Sequence, residues 1–287
     1  MYKLKAVEQP ITEAHLRYSK IITKQEMPLV VINTPECKDK ISIPISKEDK
    51  IPISGLFLGE NVFQYGSNQK INTALCIGTG KYAPIEFYLV ALWGATLVDG
   101  IEINQLDALY ARKNIDINNL SGKIKIYEGN MYEPVKNKTY DLIISNIAQM
   151  PAKSENEKSQ HDYGGKDGWY LLDRVLNNCK DHLNDCGFVS LLIFDFLGVN
   201  HRNSSNIPSL SERFEANNLR LINMVSYRRR VREGGITHKS LDYILQTYDG
   251  AKFYDKGGNV INKPSEVMKN VSKGLYFDTF VVTGKLD

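Results

Sequence analysis

The sequence has few cysteines and no long hydrophobic run. Its 287 residues include four cysteines, which form no Cys-x-x-Cys pair and have no histidine-rich surroundings. This pattern argues against a disulfide framework and a zinc site, and it favours reduced thiols. No apolar run reaches the length of a membrane span, and no charged-then-apolar leader opens the chain. We therefore expect a cytoplasmic protein with no bound metal and no membrane association.

An excess of charge of one sign is also missing. The formal net charge is +3, from 36 basic and 33 acidic residues. Because proteins that bind nucleic acid usually carry a strong basic excess, this balance makes a nucleic-acid partner unlikely. The hydrophobic fraction of 42% and the charged fraction of 24% are ordinary for a globular protein. The chain shows no internal repeat, and it is long enough for one large domain with an added subdomain.

The middle of the sequence alternates short apolar runs with longer helical patterns. This alternation predicts strands at 73–77, 95–102, 123–128, 140–146 and 187–196, and helices at 84–93, 105–114 and 168–182. Repeated strand–helix–strand units form a parallel sheet with helices on both faces, and ligands bind beyond the carboxyl ends of its strands. The predicted fold class is therefore α/β.

Two less regular segments accompany this unit. Residues 1–70 contain several prolines and predict an N-terminal lid or substrate subdomain, in which 15–22 has the pattern of a short amphipathic helix. Tyr65, near its end, either lines a ligand pocket or packs the subdomain on the core. Residues 71–287 form the main domain, with strands predicted at 219–227 and 275–283 and an insert at about 228–273 before the last strand.

A glycine turn follows the first predicted strand of the main domain. Gly78 and Gly80 flank Thr79 there, and glycine allows backbone angles that strain other residues. A phosphate, ribose or carboxylate can approach such a turn. Glu102 lies 22 residues after Gly80, the spacing at which an acid binds ribose hydroxyls in nucleotide-binding α/β units. The sequence thus predicts a ligand with a ribose; the alternative for Glu102 is a solvated acid at a strand end.

Polar residues also follow the third and fourth strands. The side-chain oxygen of Asn130 can accept a hydrogen bond from an adenine amino group while Met131 packs on the ring. Asn146 offers a donor and an acceptor with which to bind an amine or amide and orient its lone pair. A turn-capping role suits Asn146 equally well.

These motifs, in this order, resemble those of class I S-adenosylmethionine-dependent methyltransferases. The branch most similar is the glutamine N5-methyltransferases, whose fourth motif is Asn-Pro-Pro-Tyr, or Asn-Pro-Pro-Gln in some members. The matching segments are 76–80, Glu102, 128–134, 145–151 and 161–169. The resemblance implies a Rossmann-like, seven-stranded, mostly parallel sheet with its last strand antiparallel. It also implies S-adenosylmethionine as cofactor and S-adenosylhomocysteine as product. The cofactor-binding residues would be Gly78, Thr79, Gly80, Glu102, Ile103, Asn130, Met131 and Asn146.

The chain departs from that branch mainly in the fourth motif. Ile147 and Ala148 replace both prolines, and Gln149 replaces the aromatic residue. The acid usual at Cys76 and the glycine usual at Tyr82 are also missing. Because the stacking partner for a planar acceptor is gone, the sequence favours N-methylation of a small molecule by direct in-line transfer. The alternatives are a protein or peptide glutamine side chain, and a binding module without catalysis.

Several residues are candidates for contact with the acceptor. Asn146 suits a nitrogen acceptor, whereas a histidine or carboxylate would assist an oxygen acceptor. The arginine run around Arg229 either binds an acidic substrate or forms a solvated face. The predicted catalytic residues are Asn146, His161 and Tyr163, and the predicted substrate-binding residues are Tyr65, Gln149, Tyr163, Arg229 and His238.

Overall fold

The computed structural model describes most of the chain. The described residues are 5–10, 16–22, 29–35, 40–64, 69–155, 162–199 and 207–287. Two predicted site residues, Tyr65 and His161, lie outside these ranges. Within them, no helix is both long enough and apolar enough to cross a membrane.

Strands and helices are numbered here in chain order. The strands are β1 (Lys5–Pro10), β2 (Ser19–Ile22), β3 (Leu29–Ile32), β4 (Ile41–Pro44), β5 (Thr73–Ile77), β6 (Leu97–Glu102), β7 (Ile124–Glu128), β8 (Tyr140–Ser145), β9 (Leu183–Phe194), β10 (Leu219–Arg230), β11 (Phe253–Tyr254), β12 (Val260–Ile261) and β13 (Tyr276–Leu286). The helices are α1 (Ile53–Glu60), α2 (Pro84–Ala91), α3 (Gln105–Ile117), α4 (Tyr170–Cys179), α5 (Leu210–Ala216), α6 (Ile236–Thr247) and α7 (Pro264–Gly274).

The central sheet has the strand order β1-β10-β13-β9-β8-β5-β6-β7. Strand β13 is antiparallel to both of its neighbours, β10 and β9, and the remaining neighbours along this order pair in parallel. The predicted seven-stranded, mostly parallel sheet is therefore confirmed in the run from β7 to β10. The sequence did not predict β1 at the edge, nor the short β11–β12 pair attached to β13.

Helices cover both faces of this sheet. One apolar layer combines β5 and β6 with α1, α2 and α3, and buried residues of the small sheet β2-β3-β4 belong to the same layer. The other layer combines the opposite face with α4, α5, α6 and α7. The predicted N-terminal subdomain thus shares its core with the main sheet. Strand β10 continues through Arg230 and so includes the first three residues of the range predicted as an insert.

The helix predicted at 15–22 is wrong in its described second half. Ser19–Ile22 is strand β2, in which Ile21 pairs with Val30 and Ile22 pairs with Leu29. Both isoleucines are β-branched and fit the pleated surface of a strand. Pairing with a distant strand therefore outweighs the local helical pattern here.

Candidate functional site

A cavity of about 630 Å³ opens at the carboxyl ends of β5 to β8; we call it the strand-end cavity. Parallel strands bring their carboxyl ends to one edge, so residues distant in sequence meet there. Most of the predicted cofactor residues line it. Those that do so are Gly78, Gly80, Glu102, Ile103, Asn130, Met131 and Asn146, together with Tyr163.

The glycine turn is fastened to the end of β6. The backbone N–H groups of Gly78 and Thr79 both donate to the carbonyl oxygen of Ile101, at 2.9 and 3.1 Å. Gly78 and Gly80 have φ angles of 81° and 69°, in the left-handed region that favours glycine. A β-carbon at Gly78 would lie 2.7 Å from a methyl carbon of Ile147, whereas one at Gly80 would meet nothing within 4 Å. Gly78 therefore permits close packing, and Gly80 leaves open space beside the turn.

Glu102 joins this turn to its own strand end. Its carboxylate accepts hydrogen bonds from the N–H of Gly80 at 2.8 Å and from the N–H of Asn104 at 2.9 Å. The side chain is largely buried but borders the cavity. Because a carboxylate has about four acceptor positions, each oxygen keeps one for a ligand hydroxyl.

The side of the strand-end cavity after β7 combines two predicted residues with two that the sequence did not single out. Asn130 accepts from Arg174 and donates to Glu133, both at 3.4 Å, so its amide is only loosely held. Met131 has a φ of 51°, an uncommon conformation for a residue with a side chain. Arg174 and Tyr170 stand one turn apart on α4, and both line the cavity. Their spacing of four residues was the available signal.

Asn146 lies where two cavities meet. The second cavity, of about 450 Å³, shares Gly78, Gly80 and Asn146 with the first. Asn146 is half-buried, and no described residue forms a hydrogen bond with its side-chain amide. Both its donor and its acceptor are thus available to a ligand.

The second cavity is strongly basic, and we call it the basic cleft. Its cationic residues are Lys50, Lys81, Arg229, Arg230 and Arg232, and no acidic residue among those that the structure describes lines it. Just outside it, Asp49 pairs with Lys81 at 2.5 Å and accepts a hydrogen bond from Tyr82. These two contacts lower the pKa of the Asp49 carboxyl. Arg229, a predicted substrate-binding residue, is one of the cationic residues that line this cleft.

The structure places Gln149, a predicted substrate-binding residue, away from both cavities. This residue is 2% exposed and lines neither of them. The amide donates to the carbonyl of Leu192 and accepts from the N–H of Phe194, each at 2.8 Å. Gln149 thus ties the loop after β8 to the end of β9 instead of contacting a ligand.

His238 and Thr79 also differ from their predicted roles. His238 accepts a hydrogen bond from the N–H of Gly234 through Nδ1, at 2.8 Å, and does not line the basic cleft. It holds the loop before α6. The Thr79 side chain is buried beneath the glycine turn, and this residue borders the basic cleft but not the strand-end cavity.

A buried carboxyl group lies under the glycine turn. Glu86, in the first turn of α2, is fully buried, and neither of its oxygens has a hydrogen-bonding partner among the described residues. Desolvation raises its pKa from 4.5 to about 7, with Thr79, Cys76 and Glu102 as its polar neighbours. A β-carbon on Gly100 of β6 would approach the Glu86 carboxyl to 2.8 Å, so this glycine gives the buried carboxyl room beside the strand. A carboxyl from the helix thus stands beside Cys76, where the resembled family has an acid.

Comparison with known proteins gives a consistent set of relatives. The chain is 34% identical over 104 residues to a candidate protein N5-glutamine methyltransferase from Methanocaldococcus jannaschii, covering 34% of this chain and 51% of that protein. It is 28% identical over 121 residues to the ribosomal protein uL3 glutamine methyltransferase of Bradyrhizobium diazoefficiens, covering 39% and 37%. It is 28% identical over 90 residues to the release factor glutamine methyltransferase of Aquifex aeolicus, covering 29% and 32%.

All three relatives are methyltransferases, the enzyme class that the motif order predicted, and the resemblance to glutamine N5-methyltransferases is confirmed. The matched segments span between about a third and a half of these relatives. No protein-family model matches the chain. Among solved structures, YcgJ from Bacillus subtilis is a distant likeness, with 13% identity, a TM-score of 0.47, and coverage of 81% of this chain and 97% of that one.

Replacing Gln149 by alanine should destabilise the fold. The change leaves the buried carbonyl of Leu192 and the N–H of Phe194 without their partner, at about 1–3 kcal/mol each. Urea unfolding should therefore show a loss of about 2–6 kcal/mol. Gln64→Ala, at an exposed glutamine, is the matched control and should change stability by less than about 0.5 kcal/mol. Unchanged unfolding of Gln149→Ala would contradict the tethering role.

Replacing Glu86 by glutamine should change how stability depends on pH. Because burial raises the pKa of this carboxyl from 4.5 to about 7, its stability contribution is full below pH 4.5 and is lost as the pH rises through about 7. Glutamine does not ionise, so Glu86→Gln should gain up to about 3 kcal/mol over the original protein between pH 5 and pH 8. Urea unfolding at both pH values measures this gain. The exposed Glu215→Gln is the control, and equal pH profiles for all three proteins would refute the assignment.

Proposed function

We propose that the chain is an S-adenosylmethionine-dependent methyltransferase that acts on a side-chain amide of the glutamine type in a protein. The observation that carries this proposal is the free amide of Asn146 at the junction of the two cavities. The similarity to proteins named glutamine methyltransferases supports the same reaction class. Their names give no support to the small-molecule acceptor that the sequence favoured.

The residues of the strand-end cavity fit the proposed cofactor. Its volume of about 630 Å³ lies within the range of cavities that hold ligands of this size. Glu102 keeps two acceptor positions for the ribose hydroxyls, and Gly80 leaves its backbone open to close approach. Ile103 and Met131 add apolar surface, and Asn130 offers a loosely held amide for adenine.

The chemistry needs alignment more than acid–base catalysis. When bound, S-adenosylmethionine supplies a methyl group on a positively charged sulfur, which is already a good leaving group. The Asn146 side-chain oxygen accepts a hydrogen bond from the acceptor N–H, which holds the nitrogen at the cavity junction. The nitrogen gains the methyl group and releases one proton to solvent, and the sulfur that loses the methyl group remains on S-adenosylhomocysteine. Ile147 and Ala148, on the same loop, exclude water from one side of that junction.

Glu102→Ala tests the cofactor site. Losing hydrogen bonds to a charged group should weaken S-adenosylmethionine binding by about 1–3 kcal/mol, measured by calorimetry. Glu128, which is paired with Glu102 across β6 and β7, is exposed and lines neither cavity, so Glu128→Ala is the matched control. Thermal unfolding without cofactor checks that the glycine turn survives. Unchanged affinity in Glu102→Ala would rule out its ribose role.

Asn146→Ala tests the acceptor site. With peptides that carry one central glutamine as acceptors, methyl transfer should fall by about 100-fold, because the nitrogen is no longer aligned. Affinity for S-adenosylmethionine should change by less than about 1 kcal/mol. Transfer of a labelled methyl group and calorimetry measure the two effects. Undiminished transfer would move the acceptor elsewhere, and cofactor binding by the unaltered protein with no transfer to any amide would favour the binding-module alternative.

A further inference from the structure

We infer that the acceptor carries a carboxylate close to the methylated nitrogen, and that Arg229 binds this carboxylate in the basic cleft. The inference rests on the proposed function, because it places the amide of the acceptor at Asn146. It adds a requirement that the similarity to known methyltransferases does not supply.

The topology brings Arg229 to the active edge of the sheet. Strand β10 pairs antiparallel with β13, which pairs antiparallel with β9, so β10 runs in the direction of β5 and β8. Its carboxyl end therefore lies at the edge that carries the glycine turn. Arg229 and Arg230 are the last two residues of β10, and Arg232 follows them. Because the basic cleft shares Asn146 with the strand-end cavity, a molecule in the cleft can reach Asn146.

Neighbouring arginines of the run differ in whether their guanidinium group has a partner. Arg228 already has structural partners, with Asp278 at 3.0 Å and the ring of Tyr254 at 3.6 Å. Arg229 is half-buried, and within the described ranges no carboxylate or other acceptor bonds to its guanidinium. Its guanidinium lies near the rings of Phe194 and Phe277, at 5.5 and 5.8 Å. A half-buried cation with no counter-charge is costly, and an anionic ligand would offset that cost.

The lining of the cleft suits a carboxylate carried on a side chain. A guanidinium presents paired N–H donors that match the two oxygens of a carboxylate. Tyr227 and Phe277 place aromatic surface in the same cleft, which suits the stem of a side chain. A volume of about 450 Å³ holds a short peptide segment or a small acid. The carboxylate comes either from an acidic residue next to the target glutamine or from a small amide acceptor itself.

The test compares acceptors that differ only in charge. Three peptides carry a central glutamine flanked by glutamate, by glutamine or by lysine, and free glutamine represents a small acceptor with its own carboxylate. Their affinity for the cofactor-loaded protein is measured by fluorescence polarisation or by competition, and methyl transfer is measured separately. The variants are Arg229→Ala and Arg229→Glu. The control is Arg220→Ala, at the opposite end of β10, where the exposed Arg220 pairs with Asp287.

The unaltered protein should bind the glutamate-flanked peptide at least about tenfold more tightly than the glutamine-flanked one. Arg229→Ala should remove this difference, Arg229→Glu should favour the lysine-flanked peptide, and Arg220→Ala should keep the original order. Preferential binding of free glutamine would also support the inference, with a small molecule as the source of the carboxylate. Cofactor affinity should be the same in all four proteins.

Two results would overturn the inference without affecting the proposed function. One is methyl transfer together with equal affinity for all three peptides. The other is displacement of the glutamate-flanked peptide by a single-stranded RNA oligonucleotide at a lower concentration than the unlabelled peptide itself requires. Failure of the proposed function has a different signature, which is charge-dependent peptide binding with no methyl transfer to any amide. Peptide affinity therefore tests the inferred carboxylate, and methyl transfer tests the proposed function.

Discussion

The hydrogen bond from the N–H of Gly80 to the Glu102 carboxylate is the constraint on which the site depends. It joins the glycine turn after β5 to the end of β6, and the second oxygen of Glu102 fixes the start of α3 through Asn104. One carboxylate thereby sets the position of two strand ends and a helix. Because that carboxylate still borders the cavity, the group that shapes the site is also the group that can bind a ligand there.

Buried polar groups without hydrogen-bonding partners among the described residues lie beneath this turn. Glu86 and the hydroxyl of Thr79 are buried and have no hydrogen-bonding partner in the described part of the chain, and the raised pKa of Glu86 favours its neutral form below pH 7. Buried polar atoms of this kind usually reduce stability. Their position under the glycine turn indicates that this layer serves the site above it, where the strand acid of the resembled family is missing at Cys76.

The sequence predicted those parts of the site that depend on local pattern. Strand β5, both glycines and the spacing to Glu102 follow from short runs and offsets, and the structure brings these residues together. The sequence did not predict contacts between segments that are far apart along the chain. Gln149 bonds to backbone more than forty residues away, and the basic cleft combines the start of α1 with the end of β10. Neither contact leaves a local pattern that could have been recognised.

The altered loop after β8 shows why such distant contacts matter. Prolines restrict a loop by fixing backbone angles, and Ile147 and Ala148 stand where the resembled family has them. Here the side chain of Gln149 is bonded at both ends to β9, and Met150 pairs with the segment that contains Gly164. Hydrogen bonds therefore hold the loop, in place of the backbone restriction that proline rings would give. Because Asn146 directly precedes it, its amide can keep a fixed position without the prolines, and their loss does not by itself imply a loss of catalysis.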